Sequence, residues 1–270
     1  MSRIWIILTI LLIFCGILFI STSCNLISPS STPATTAPQT TSGTQSPPVN
    51  SQPGNSSIPS NTIVSLPSFS SLITSVEKSV VKIDVNVPAT TIFGQVIQQQ
   101  GADSGWITSS DGIIMTANHV VEGASSITVT TLDGKTYPAQ TLTGNSNVDI
   151  AILKINATNL PALKPADVSK IKSGDWVLAI GNPLGQGIIA TQGIISRMGV
   201  DVPVSSSQTY HSMIETTAAI NPGNSGGALI DLNGEVIGVT SLKVSAAGIE
   251  GMGYAINIAD ALPLLQNISR

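Results

Sequence analysis

The sequence predicts an all-β fold: two six-stranded antiparallel β-barrels followed by a C-terminal helix. Three observations carry that prediction. Short apolar runs of roughly four to eight residues recur from Val76 onward and are rich in Val, Ile and Thr. Turn pairs separate several of them, at Asp111-Gly112, Asp133-Gly134 and Asn233-Gly234. A looser stretch from Asn156 to Lys172 divides the runs into two groups of about 90 residues each, the size of one small barrel apiece.

The first group spans about 76–160. Val80 to Val87 alternates apolar and polar with the period of a half-buried strand. Gly105-Trp106-Ile107-Thr108, the turn at Gly112 and Ile113 to Thr116 form a hairpin, and Ile127 to Leu132 with Lys135 to Tyr137 form a second. Ile150 to Ile155 closes the set. The second group spans about 170–258. Trp176 to Gly181 reads as a fully buried strand, followed by Ile188 to Arg197 and His211 to Thr216. Ala228 to Ile230 and Glu235 to Thr240 flank the Asn233-Gly234 turn, and Tyr254-Ala255-Ile256 is the last strand. Asn257 is placed to cap a helix carrying Ile258, Ala261, Leu262 and Leu265 on one side, with Pro263 in the early turns where it is tolerated.

The segment before these barrels, 1–62, has a different composition. Arg3 precedes the apolar run Ile4 to Ile20, about 17 residues or roughly 26 Å as a helix, enough to cross a bilayer. Residues 1–24 are compatible with a retained membrane anchor, a signal peptide cleaved after Ser21-Thr22-Ser23, or a lipoprotein signal with Cys24 lipidated. Each places the remainder outside the cytoplasm, in the periplasm, at the cell surface or secreted. Residues 25–62 are Ser/Thr/Pro-rich and carry few large apolar side chains, the composition of a disordered linker. A globular part of about 63–270 then follows.

Composition excludes several classes of function. The net charge is −4 and no Lys/Arg cluster is present, which argues against nucleic acid as a partner. Both cysteines, Cys15 and Cys24, lie in the N-terminal segment, so the barrels carry no disulfide. Two histidines and no cysteine in the globular part suggest neither a metal site nor a cofactor.

The segment with most chemical content is Asn221-Pro222-Gly223-Asn224-Ser225-Gly226-Gly227. A serine flanked by glycines combines a nucleophile with backbone that can approach a substrate carbonyl closely. A nucleophilic serine needs a base and a group to orient that base. His119 follows an apolar strand among small residues, and Asp149 enters the apolar strand Ile150 to Ile155, where an unpaired carboxylate would be costly. A satisfied structural histidine and a turn aspartate are the alternative readings. Chain order separates two hydrolase architectures. Gly223-Asn224-Ser225-Gly226-Gly227 also fits a G-x-S-x-G nucleophile elbow, but α/β-hydrolases place their histidine after the serine, whereas His119 and His211 both precede Ser225. His119, Asp149, Ser225 is the chymotrypsin-type order.

Four segments resemble the HtrA (DegP/DegQ-like) branch of trypsin-like serine proteases. They are Ser104-Gly105-Trp106-Ile107 through Thr116 to Val121; Asp149 to Lys154; Ile180 to Gly185 with Thr191 to Ser196; and Thr216 to Gly227. The resemblance extends from Phe69 to about Gln266. It implies a serine endopeptidase that cleaves unfolded or damaged extracytoplasmic proteins in protein quality control. His119 would be general base and acid, Asp149 its orienter and Ser225 the nucleophile. The N–H groups of Gly223 and Ser225, with Asn224 between them, would form the oxyanion hole. Donors of that kind are worth roughly 3–4 kcal/mol each. Leu184 to Gly187 would belong to a mobile loop that sets the conformation of the hole.

Further expectations follow from the same resemblance. Asn224 stands where zymogen-activated relatives have Asp, so activity should not require a newly cut N-terminus. The substrate pocket would be formed by Ala219 with Thr240, Ser241 and Leu242, and Lys243 could reach its rim. No acidic residue stands there, which favours small or medium aliphatic side chains before the scissile bond. The chain ends at Arg270 without the PDZ domain common in the branch, and the stretch between Val87 and Ser104 is short. A homotrimer through Phe69 and Leu72 would be an analogy with the family. The alternative reading is a proteolytically inactive, chaperone-like binding module on the same fold.

Overall fold

The computed structural model describes residues 68–91, 95–241 and 251–268, all within the compact unit Ile63–Arg270. Twelve strands form two closed antiparallel barrels, so the predicted fold class is the one observed. The first barrel contains β1 (Val80–Thr90), β2 (Val96–Ser109), β3 (Ile113–Ala117), β4 (Ser126–Thr130), β5 (Thr136–Asn145) and β6 (Ile150–Ile155), in the order β1-β2-β3-β6-β5-β4. The second contains β7 (Trp176–Gly181), β8 (Ile189–Pro203), β9 (Thr209–Thr216), β10 (Ala228–Ile230), β11 (Val236–Thr240) and β12 (Gly253–Asn257), in the order β10-β11-β12-β9-β8-β7. Among the described residues three α-helices accompany them: α1 (Ser70–Val76), the single turn α2 (Asn118–Val121) and α3 (Ile258–Ile268).

Why several strands are apolar on both faces follows from where each face goes. Successive side chains of a strand point to opposite sides of the sheet. Val81, Ile83, Ile107, Ile114, Ala151 and Leu153 form one core cluster with other residues of the first barrel. Their chain neighbours Val80, Trp106, Met115, Ile150 and Ile152 belong to a second cluster, shared with Leu178, Ile180, Ala228 and Val239 of the other barrel. The remaining faces of β7, β9 and β11 supply Val177, Ala179, Ile214 and Ile237 to a third. A strand lining a barrel on one face and a barrel–barrel contact on the other has no wet side, hence the unbroken Trp176 to Gly181 run.

The C-terminal helix is capped as its sequence suggests: Asn257 Oδ1 accepts from Ala259 N at 3.0 Å. Ile258 and Ala261 are buried, while Leu262 and Leu265 pack half-buried against the shared cluster. Phe69 and Leu72 pack against that cluster too, and the Phe69 ring lies 5.9 Å from that of Trp176.

Two elements are longer than their patterns suggest. The chain between Val87 and Ser104 is no short connection: β1 continues to Thr90 and pairs there with Val96, making a protruding two-stranded ribbon. Its Gln98-Gln99-Gln100 side is exposed on both faces, so no period-two signal marks it. β5 runs on to Asn145 with Pro138 opposite Thr128 in β4. The helices α1 and α2 also had no sequence signal. The apolar run Ile4 to Ile20, the linker 25–62, Leu242 and Lys243 lie outside the described residues. Among those described, no helix is long and apolar enough to cross a membrane.

Candidate active site

The site is assembled where the two barrels meet, from one end of each. His119 sits in the turn α2, directly after β3, and Asp149 immediately precedes β6, which is paired with β3 from Ile113↔Lys154 to Ala117↔Ile150. That register alone places the two residues at the same sheet end. Asp149 adopts a left-handed backbone conformation (φ 55°), which Asp tolerates better than most residues. Its carboxylate then receives two donors from α2. The His119 backbone N–H reaches Oδ1 at 2.9 Å, and the ring Nδ1 lies 2.7 Å from Oδ2. The backbone carbonyl of Asp149 also accepts from Asn118 N at 3.0 Å.

A third donor comes from the second barrel. Ser241, just past β11, donates its hydroxyl to Asp149 Oδ2 at 3.0 Å. Asp149 is 1% exposed, and three donors meet its carboxylate, which is what a buried polar group requires. With the ring Nδ1 directed at the carboxylate, Nε2 is the nitrogen left to act as base. His119 keeps a side-chain exposure of 22%, so that nitrogen can face a reactant.

Ser225 is held on a tight turn between Ile220 and β10. Asn224 N donates to Asn221 O at 3.0 Å and Gly227 N to Asn224 O at 2.9 Å. The turn is tied to both barrels. Gly226 N donates to Thr240 O at 2.8 Å, and Ser104 N donates to Ser225 O at 3.0 Å. Gly226 (φ +77°) comes so near the first barrel that a Cβ would stand 2.4 Å from Ser104 O and 2.8 Å from Ala117 N, two residues before His119. Gly223 (φ +94°) lies equally close to Pro183, where a Cβ would be 2.4 Å from the proline Cβ. Both glycines are therefore required by backbone conformation and by close contact, Gly226 with the first barrel and Gly223 with Pro183 of the loop after β7. Gly226→Ala is expected to cost about 2–4 kcal/mol, from backbone strain and the clash together. Thermal unfolding checks this, and a midpoint equal to that of the wild type would contradict the contact.

The loop after β7 reaches the same turn. Asn182 N donates to Ser104 Oγ at 2.7 Å, and that hydroxyl donates to Gly223 O at 2.6 Å. Leu184 in this loop is 68% exposed. The expected pocket residues divide. Ala219 is exposed, and its carbonyl accepts from Thr191 Oγ1 at 2.7 Å. Thr240 is fully buried and donates its hydroxyl to Asn224 O at 2.5 Å and Gly227 O at 3.2 Å. Ser241 is equally buried and serves Asp149, so neither hydroxyl lines an open pocket. Leu242 lies outside the described residues. No group of three or more His, Cys, Asp or Glu that could hold a metal ion occurs among the described residues.

One residue of the site was not singled out in the sequence. Asp103 of β2 lies against the backbone N–H groups of Gly223 and Ser225 and beside His119. Burial pushes its pKa up to about 6, opposed in part by the charge of His119 and by those two N–H groups. A signal existed: Asp103 enters the buried run Ser104 to Ile107 just as Asp149 enters Ile150 to Ile155. The folded chain holds the Asp103 proton more tightly than the unfolded chain, whose value is near 3.8. Its destabilising contribution is therefore absent below about pH 4, grows between pH 4 and 6, and is complete above pH 6. Asp103→Asn should stabilise the protein by up to about 3 kcal/mol at pH 8 and by nothing at pH 3.5. Chemical denaturation at the two pH values measures the difference, and equal gains at both would refute the assignment.

Two closed antiparallel barrels, one presenting an Asp–His pair and the other a glycine-flanked serine, define the chymotrypsin-like class of fold. The family model described as the trypsin-like peptidase domain matches residues 103–239. The serine protease Do-like HtrB of Bacillus subtilis is 42% identical over 165 residues, covering 59% of this chain and 36% of that protein. A Pseudomonas putida protein named as a DegP-like periplasmic serine endoprotease is 40% identical over 174 residues, covering 64% and 36%. Among solved structures, the HtrA-type protease AlgW with a decapeptide aligns at a TM-score of 0.64 and 34% identity, covering 75% of this chain and 67% of that one. The chain belongs to the trypsin-like peptidase family, in its HtrA branch. It spans 36–41% of the length of the curated relatives it matches.

Proposed function

We propose that this chain is a serine endopeptidase that hydrolyses unfolded polypeptides outside the cytoplasm. The observation that carries the reading is the Asp149 carboxylate, which receives the His119 ring from one barrel and the Ser241 hydroxyl from the other. In this mechanism Ser225 Oγ attacks the scissile carbonyl carbon while His119 Nε2 takes its proton. The carbonyl oxygen, now an oxyanion, accepts from the N–H groups of Gly223 and Ser225. His119 then protonates the leaving amine as the C–N bond breaks. A water repeats the sequence on the acyl-enzyme, with His119 again as base. Asp149 holds Nδ1–H throughout and stabilises the imidazolium.

The matched relatives are named as serine proteases, one of them as periplasmic, which supports an extracytoplasmic site of action. The run Ile4 to Ile20, or a lipid on Cys24, would tether the enzyme to a membrane, and a homotrimer through the Phe69 region is the assembly we propose. The small side chain of Ala219, with no acid at the positions read as the pocket, favours aliphatic residues before the cut. Digestion of unfolded casein by the full chain, with the products sequenced by mass spectrometry, tests both parts. Cleavage after Ala, Val, Ile or Leu is expected. Cuts confined to Lys and Arg would reject the pocket reading, and casein left intact would reject the endopeptidase.

A further inference from the structure

The Ser104 hydroxyl takes no part in the proton transfers above, yet it is bonded to the peptide unit between the two oxyanion donors. Ser104 is fully buried in β2 of the first barrel, while Ser225 is carried by the second. The hydroxyl donates to Gly223 O at 2.6 Å and accepts from Asn182 N, in the loop after β7, at 2.7 Å. Its polarity is dictated by those partners. A backbone N–H can only donate and a carbonyl can only accept, so the single hydroxyl proton lies toward Gly223 O. Ser104 is itself fixed by two more bonds: its N–H donates to Ser225 O at 3.0 Å, and its carbonyl accepts from Thr116 Oγ1 at 2.8 Å.

Gly223 O is one end of the planar Gly223–Asn224 peptide unit. The other end, Asn224 N, donates to Asn221 O at 3.0 Å. Rotating this unit changes ψ of Gly223 and φ of Asn224, and so the angle between the Gly223 and Ser225 N–H groups on either side of it. Gly223, with φ +94° and no Cβ, gives the chain little resistance of its own to such a rotation. The Asn224 side chain adds none through hydrogen bonding, since both polar atoms of its carboxamide are buried without a partner. The direction of the Gly223 carbonyl is therefore held from the opposite barrel, by the hydroxyl of Ser104.

We propose that Ser104 is a positioning residue for the oxyanion hole: its hydroxyl fixes the Gly223–Asn224 peptide so that the N–H groups of Gly223 and Ser225 converge on one point. The inference rests on the serine-nucleophile reading above. Ser104 touches no reacting atom, and no covalent bond forms or breaks at it. Its effect falls on the transition state, because the hole is called upon only as negative charge develops on the carbonyl oxygen. Substrate binding through flanking residues does not depend on it.

The test compares the full-length wild type with Ser104→Ala, Ser104→Cys and Ser225→Ala. The first measurement is the second-order rate of labelling by a fluorophosphonate, whose phosphoryl oxygen enters the hole, with the labelled fraction at completion counting competent sites. The second is kcat and KM for casein, expressed per competent site. Ser104→Ala is expected to label roughly 10–100-fold more slowly, short of the 10²–10³-fold lost when a donor itself is removed. Its kcat should fall by the same factor with KM unchanged, the mark of an interaction made only in the transition state. Ser104→Cys keeps the side-chain shape with a weaker donor, so it should fall between alanine and wild type. A merely structural serine would lower the number of competent sites or the melting temperature and leave the rate per site alone. Should the alanine variant fail to fold, the cysteine variant carries the test. Folded variants that label at the wild-type rate per site, with Ser225→Ala unlabelled, overturn the positioning role and leave the nucleophile in place. A raised KM with unchanged kcat and labelling rate overturns it too. No labelling of any form overturns both readings.

Discussion

Ser225→Ala is expected to abolish casein cleavage, lowering kcat by about 10⁶-fold, the loss seen when a nucleophile of this type is removed from an otherwise intact site. The fold should be untouched. Ser225 is almost fully buried on a turn whose ties to Thr240 and Ser104 run through backbone atoms. Alanine keeps every one of those bonds. The variant should therefore unfold at the wild-type temperature and still bind unfolded chains while failing to cut them. Residual cleavage within 100-fold of the wild type would assign the activity to another residue or to a contaminant.

Asp149→Asn is expected to lower kcat about 10⁴-fold at neutral pH. The carboxylate accepts from the His119 backbone N–H, the His119 ring and the Ser241 hydroxyl. A carboxamide has one oxygen for the three. If that oxygen keeps the backbone N–H at the Oδ1 position, the NH₂ takes the Oδ2 position, where it loses the Ser241 hydroxyl as a donor, meets Nδ1 and forces the ring proton onto Nε2, the nitrogen that must act as base. Asn is also at ease with a positive φ, so the left-handed turn survives and the protein should fold. Rates measured with an activated ester and with casein, beside a melting curve, separate the chemical defect from a structural one. A loss of less than 10-fold would mean that Asp149 is a structural clamp and His119 is positioned by other contacts.

These expectations depend on features with different visibility in the sequence. The hairpin turns could be read because their signal is local: Gly112, Gly134 and Gly234 all have φ between +79° and +95°, as the turn type requires. The doubly buried strands were equally plain, since neither face could carry a charge. The Val96 to Gly101 half of the ribbon was not, because a strand wet on both sides has no reason to alternate. Nor did any pattern announce the turn α2. Four residues are too few for a helical period, and its position is set by bonds from Asn118 and His119 to Asp149.

The candidate site divides along the same line. Local context offered His119, Asp149 and Ser225 as candidates, and chain order rejected the α/β-hydrolase arrangement, because order survives unfolding and needs no distances. Residue identity likewise placed glycines at Gly223 and Gly226. Ser241 and Asp103 are different. Each is an ordinary polar residue at the end or start of an apolar run, and each gains its meaning from a partner far away in the chain. Ser241 reaches Asp149 across the junction of the barrels, and Asp103 reaches the Gly223 turn only because β2 is hydrogen-bonded to it. Local chemistry determines which residues can turn, pair or attack. Which donors reach each carboxylate depends on how the two barrels pack, because only that packing brings the two halves of the chain within hydrogen-bonding distance.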